Sequence, residues 1–141
     1  MVEYRTTIEG LDVSAFHGFG VGWRVPLAPN TLKRVLEGSS HVVVAIDATT
    51  GNVVGFINAI SDGVLCAFIP LLEVHPSFQH EGIGSELVRR MLEELNELYA
   101  VDLVCDAAME GFYSRFGLQS VSAMVLRRFD RLESINLREA H

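Results

Sequence analysis

The 141-residue sequence predicts an α/β domain: a central mixed sheet, mostly antiparallel, flanked by helices. Three stretches carry that prediction. Residues 41–46 and 52–60 are β-rich runs joined by Asp47-Ala48-Thr49-Thr50-Gly51, whose turn chemistry predicts an antiparallel hairpin. The apolar run 65–74 leads through a glycine loop into residues 85–100, where Leu87, Val88, Met91, Leu92, Leu95 and Leu98 share one helical face. Residues 101–105 read as a parallel strand. Strand, helix and strand then form a βαβ unit, right-handed by rule.

The remaining elements follow in order. Residues 2–8 alternate with period two and predict a first strand. Residues 9–30 are interrupted by Gly18, Gly20 and Gly22 and broken by Pro26 and Pro29, so that stretch reads as a hinge or turn, with Phe16, Phe19 and Trp23 read first as packing residues. Asn30 is the expected N-cap of a short helix over 31–37, with Gly38 beyond its end. Ser61-Asp62-Gly63 turns the chain into the run 65–74, typical of a strand covered on both faces. Pro70 cannot donate to a ladder, so that strand must be interrupted near it. On the long helix, Glu86 with Arg90 and Arg89 with Glu93 are i,i+4 pairs of a solvated face. Residues 110–116 predict a short helix stopped by Gly117, residues 121–127 a closing strand, and residues 129–141 a charged, mobile tail.

Length and composition narrow the function. The chain is of single-domain size, so residues 1–141 are expected to form one domain that buries enough surface for a core. No run reaches the roughly 20 apolar residues a bilayer needs, which predicts a cytoplasmic protein without a membrane partner. The net charge of −7 and the absence of a basic run argue against a nucleic-acid partner and favour a cationic substrate. Cys66 and Cys105 lie in apolar runs and read as buried, reduced thiols. No histidine or cysteine spacing suits a metal, and no G-x-S-x-G elbow is present.

The chemistry concentrates at Val74-His75-Pro76-Ser77-Phe78-Gln79-His80-Glu81-Gly82-Ile83-Gly84-Ser85. Gly82 and Gly84 let the backbone curl and turn N–H groups inward at a helix start, where unpaired amides and the helix dipole suit a phosphate. A P-loop would need a lysine beside Gly84. A dinucleotide fingerprint would need a third glycine where Leu87 stands. What fits is Gln-x-x-Gly-x-Gly after Val74-x-Pro76, followed downstream by Phe112-Tyr113-Ser114-Arg115-Phe116-Gly117. Over residues 40 to 128 this combination resembles the GNAT superfamily of N-acetyltransferases.

The resemblance implies a GNAT-like sheet with a splayed parallel strand pair, and acetyl-CoA as co-substrate. Backbone groups of Leu72 and Val74 would meet the pantetheine arm, and Gln79, His80, Glu81, Gly82, Ile83, Gly84 and Ser85 the pyrophosphate. Asp106 and Phe112 would flank the arm. Asp106 stands where the family often has an asparagine, and a helix cap is its favoured role here. Tyr113 is the implied general acid for the departing thiolate. Glu73 and His75, at the strand end, are candidate bases for an amine that must arrive neutral. The implied partners are acetyl-CoA and an amine, with a homodimer allowed. The alternative reading is a non-catalytic acyl-CoA-binding or regulatory module of the same fold.

Overall fold

The computed structural model describes residues 1–139. Its framework is one sheet whose strands β1 (Val2–Arg5), β2 (His41–Asp47), β3 (Val53–Ser61), β4 (Cys66–Ile69) and β6 (Ala100–Leu103) run in that spatial order, while β5 (Leu72–Val74) pairs with β3 alone. Every pairing is antiparallel except β4 with β6, which is parallel. The expected mixed sheet is therefore present, with the β4–β6 pair bridged by helix α2 (Ile83–Glu94).

Two cores sit on opposite faces. Alternation along β2 sends Val43 and Ala45 to one face, where α2 contributes Ile83, Leu87, Val88 and Met91. Val42, Val44 and Ile46 go to the other, where helix α1 (Pro29–Glu37) contributes Leu32 and Leu36 and the chain before it contributes Phe16. β2 and β3 are thus covered on both sides, which is why their sequences are almost unbroken apolar runs. Gly55 makes the close approach possible. A Cβ there would come within 3.1 Å of both Ile83 Cγ2 and Leu87 Cδ1.

Several expectations are corrected. The helix expected to begin after Asn30 begins at Pro29 with Ala28 at its N-cap, because proline's fixed φ suits the first helical position and its missing N–H costs nothing there. Helix α2 stops at Glu94 rather than 100, and Leu95 and Leu98 are held by single turns. The β4 segment is covered on one face only, so Cys66 is exposed, its thiol 3.8 Å from Asp62, and Cys105 is half-buried. The expected closing strand over 121–127 does not form, since no described strand pairs with it. The expected mobile tail is instead helix α4 (Phe129–Glu139), following helix α3 (Glu110–Ser114); the tail's last two residues lie outside the described chain. Asn136 ties α4 down, with Oδ1 accepting from Ala28 N–H and Nδ2 donating to the Pro26 carbonyl, each at 2.9 Å.

Candidate active site

The site begins where a strand breaks. Pro70 ends β4, and past it the chain realigns on β3 as β5 while β6 continues toward Val104 and Cys105, so the parallel pair opens into a cleft. A buried side chain holds the break. Asn58, fully buried on β3, accepts from Leu71 N–H at 3.1 Å and donates to Ser39 Oγ at 3.0 Å, while its own N–H donates to the Leu71 carbonyl. The amide side chain thus replaces the ladder bond that the irregularity forfeits.

The register then aims the backbone of β5. His75 N–H donates to the Val54 carbonyl at 2.7 Å, and the partners Glu73↔Phe56 stand two residues along. Hydrogen-bonded and non-bonded pairs alternate in an antiparallel ladder, so the N–H and C=O of Leu72 and Val74 point away from β3, into the cleft. The Val74 carbonyl is engaged by Gln79 Nε2 at 3.1 Å, which folds the following loop back on the strand end.

That loop delivers the start of α2. Gly82, at φ +83, is its N-cap, and His80 also adopts a left-handed φ of +66, a conformation unusual for a residue with a Cβ. Gly84 is helical instead. A Cβ there would make only ordinary contacts, 3.7 Å from Val74 Cγ2 and 3.8 Å from Phe112 Cζ, so the fold by itself does not demand a glycine at this position. The first α2 amides have no intrahelical acceptors and form, with the dipole, a site suited to a pyrophosphate. Arg115 adds a cation that sequence reasoning did not assign. Its guanidinium lies 5.1 Å over the Phe112 ring and its Nη2 donates to Ser85 Oγ at 3.1 Å. Glu86, one turn into the helix, is neutralised by Arg89 and Arg90, whose hydrogen bonds hold its carboxyl down at about 2. Glu81 is exposed in the loop.

Across the cleft, Phe112 and Tyr113 of α3 and Phe116 in the turn after it pack against the α2 core, with Phe112 edge-on to both at 5.0 and 5.5 Å. Burial, and then the nearby Cys105 thiol, push the Tyr113 phenol above its usual value, so it is protonated at neutral pH. Asp106 is not the side-chain cap expected of it: its carboxylate makes no capping bond, and Met109 N–H donates to its backbone carbonyl at 2.8 Å.

The two candidate bases are placed unequally. Glu73 points to the α1 face, where Oε1 accepts from Gly20 N–H at 2.6 Å and Oε2 is buried without a partner among the described residues. Burial pushes its carboxyl up, offset in part by the Gly20 bond. His75 is occupied structurally. Its Nδ1 accepts from Ser77 N–H at 3.2 Å, which puts the neutral ring's proton on Nε2, and that edge packs where a Cβ on Gly18 would come within 2.5 Å. Of the hinge or turn expected for the triple-glycine stretch, the structure shows the turn. All three glycines have φ above +80, and the turn lays Gly18 on His75 and Gly20 on Glu73. Of the aromatic residues there, Phe16 is buried in the core, Phe19 lies edge-on to Phe56 at 5.0 Å, and Trp23 is 38% exposed.

The architecture recurs in known proteins. The profile of the acetyltransferase (GNAT) family matches residues 8–118. An uncharacterized N-acetyltransferase of Pyropia yezoensis, ycf52, is 30% identical over 102 residues, which are 69% of this chain and 58% of the relative. The chain thus spans under two thirds of that relative's length. A crystal structure from Deinococcus radiodurans R1, of a protein described as a candidate acetyltransferase, superposes with a TM-score of 0.89 at 46% identity, covering 93% of this chain and 91% of the other. A GNAT family acetyltransferase from Streptococcus pneumoniae TIGR4 superposes with a TM-score of 0.72 at 26% identity, covering 91% and 98%.

Proposed function

Because the chain belongs to the acetyltransferase (GNAT) family, we propose that it transfers an acetyl group from acetyl-CoA to a primary amine by direct attack. The observation that carries this reading is the cleft between β5 and β6, with backbone groups of Leu72 and Val74 that face away from β3 along one wall and the start of α2 at its mouth. The pantetheine arm would pair with those backbone groups as an added strand. The pyrophosphate would lie on the Gly82–Ser85 amides, with Arg115 alongside.

The chain's own residues then supply the chemistry. An alkylamine has a pKa of roughly 10, by analogy with lysine, and must lose a proton before attack. Glu73, its Oε2 free and its carboxyl raised by burial, accepts that proton in preference to His75, whose Nδ1 is already engaged. The N–C bond forms, and the Val74 N–H stabilises the oxygen that gains charge. As the C–S bond breaks, the Tyr113 phenol donates its proton to the sulfur, and the second proton, shed by the nitrogen as the amide forms, restores the phenol.

Release of CoA in the presence of amino acids, polyamines, aminoglycosides and peptide N-termini tests the activity, and calorimetry with acetyl-CoA tests binding alone. The Tyr113→Phe variant should lose about 10²–10⁴-fold in turnover. Its acetyl-CoA affinity and melting temperature should stay close to those of the parent. Undiminished turnover would leave Tyr113 a packing residue.

A further inference from the structure

Among the described residues the Glu73 carboxylate has one hydrogen bond, from the Gly20 N–H to Oε1 at 2.6 Å, while Oε2 is buried and has none. That single bond decides which way the carboxylate faces, because the terminal torsion of a glutamate is broad until a partner fixes it. A general base must stand within hydrogen-bond reach of the proton that it takes. Whatever holds Gly20 therefore aims Oε2.

Gly20 is buried, at φ +81, and is enclosed by its own loop. Trp23 N–H donates to the Gly20 carbonyl at 3.1 Å, and the chain then doubles back to lay Pro26 on the glycine. The approach is so close that a Cβ at Gly20 would come within 2.6 Å of Pro26 Cβ. Pro26 in turn is gripped by α4. Asn136 Nδ2 donates to the Pro26 carbonyl and Oδ1 accepts from Ala28 N–H, each at 2.9 Å, so one side-chain amide satisfies two backbone groups as a neighbouring strand would. A second anchor lies at the first residue of α4, where the Arg24 guanidinium sits 4.4 Å over the Phe129 ring. The helix itself packs on α1, whose Leu32 and Leu36 are buried in the sheet core.

We propose that Asn136 is a positioning residue: from the C-terminal helix, through Pro26 and Gly20, it fixes the Glu73 carboxylate with Oε2 left free. Each link is short and stiff. A side-chain amide spans two backbone groups, a proline ring bears on a glycine, and no residue with a Cβ fits that glycine's φ and spacing. The consequence for catalysis rests on Glu73 being the base, as proposed above. The mechanical link from α4 to the carboxylate does not.

An amide that donates to a carboxylate shifts its proton resonance as the carboxylate titrates, so the Gly20 N–H reports the bond directly. In the isotope-labelled parent the Gly20 resonance should follow the titration of Glu73, and Glu73→Gln should abolish that response. Asn136→Leu, close in size but without either hydrogen bond, should shrink the response to less than half. Its kcat should fall about 10–10²-fold, as expected of a misplaced catalytic group, while the Kd for acetyl-CoA stays at the parent's value. A helix that only added stability would lower the melting temperature of the variant and leave the Gly20 response intact. Pro26→Ala provides a second variant at an exposed position. It keeps the carbonyl that Asn136 binds, removes the ring from Gly20, and should shrink the response as well. A full Gly20 response in either variant overturns the proposal, as does a Gly20 resonance in the parent that ignores pH. A shrunken response with undiminished turnover would uphold the link and remove Glu73 as the base.

Discussion

The two halves of the sheet are built on opposite terms. β1, β2 and β3 are joined by antiparallel ladders interrupted only by a register shift at Ala45–Ile46, and β2 and β3 are sealed by α2 below and α1 above. β4, β5 and β6 are short, broken at Pro70, covered mainly on one face and open at the outer edge. The first half holds the fold and the second half is where the cleft opens. A splayed strand pair forfeits ladder bonds, and it persists only where a rigid neighbour dictates its position.

The sharpest way to break that comparison is to remove one phenylalanine from each half. Phe56 is fully buried on β3, so Phe56→Ala should cost about 3–5 kcal/mol and lower the melting temperature steeply. Phe68, on the open face of β4 and 40% exposed, should cost about 1 kcal/mol or less when replaced by alanine. Equal losses would mean that the two halves share the stability.

Glu73 sits where the halves meet, and Glu73→Gln separates its catalytic and structural effects. Turnover should fall about 10²–10⁴-fold if the carboxylate is the base. In the parent, kcat/KM should fall as pH drops through the raised Glu73 pKa, and the variant should lose that acidic limb. The stability effect has the opposite sense. With the folded pKa raised, the contribution of Glu73 is complete below its ordinary value of 4.5 and is lost as pH rises through the folded value. The variant's melting temperature relative to the parent should therefore be more favourable at pH 7 than at pH 4, and the reverse trend would show that burial does not govern this carboxyl.

Asn58 connects the two halves directly, and its replacement should lower both stability and cofactor affinity. Asn58→Leu leaves Leu71 N–H buried without its acceptor, at a cost of about 1–3 kcal/mol. Because the same bond fixes where β5 departs from β4, acetyl-CoA should bind more weakly, as calorimetry would register. Loss of stability with unchanged affinity would mean that the bulge holds itself.

What could be read from the residues alone follows the same division. The hairpin, the βαβ unit and the glycine corner are local signals, each carried by consecutive residues with their own backbone demands, and each is present in the fold. Pro70 announced the break because a missing N–H is a local fact as well. Asn58, Gly20 and Arg115 were illegible, since each matters through a partner 13, 53 or 30 residues away. The β-pattern of 121–127 was legible as a strand but not as an unpaired one, because pairing is a property of the neighbour. Pro29 over Asn30 at the helix start is a smaller instance: both signals were local, and the rigid φ prevailed.

The finest test concerns charge at the mouth of the cleft. Arg115 is held over Phe112 and bonded to Ser85, close to the α2 amides, whereas Glu81 projects from the preceding loop, exposed. If the pyrophosphate lies on those amides, the two side chains act on it with opposite sign. Arg115→Ala removes a charge-assisted contact of about 1.5–3 kcal/mol, so the Kd for acetyl-CoA should rise roughly 10–100-fold. Glu81→Lys replaces a repulsion at the solvent boundary with an attraction. Exposed charges in water are worth only about 0.2–1 kcal/mol, so affinity should tighten just a few-fold. Salt distinguishes this from a change in loop shape, because an effect between exposed charges fades as the screening length shrinks from about 10 Å at 0.1 M to about 3 Å at 1 M. Calorimetry at the two ionic strengths should show the Glu81→Lys gain disappearing while most of the Arg115→Ala loss remains. A gain that persisted in high salt, or no gain at all, would place the phosphates away from this loop.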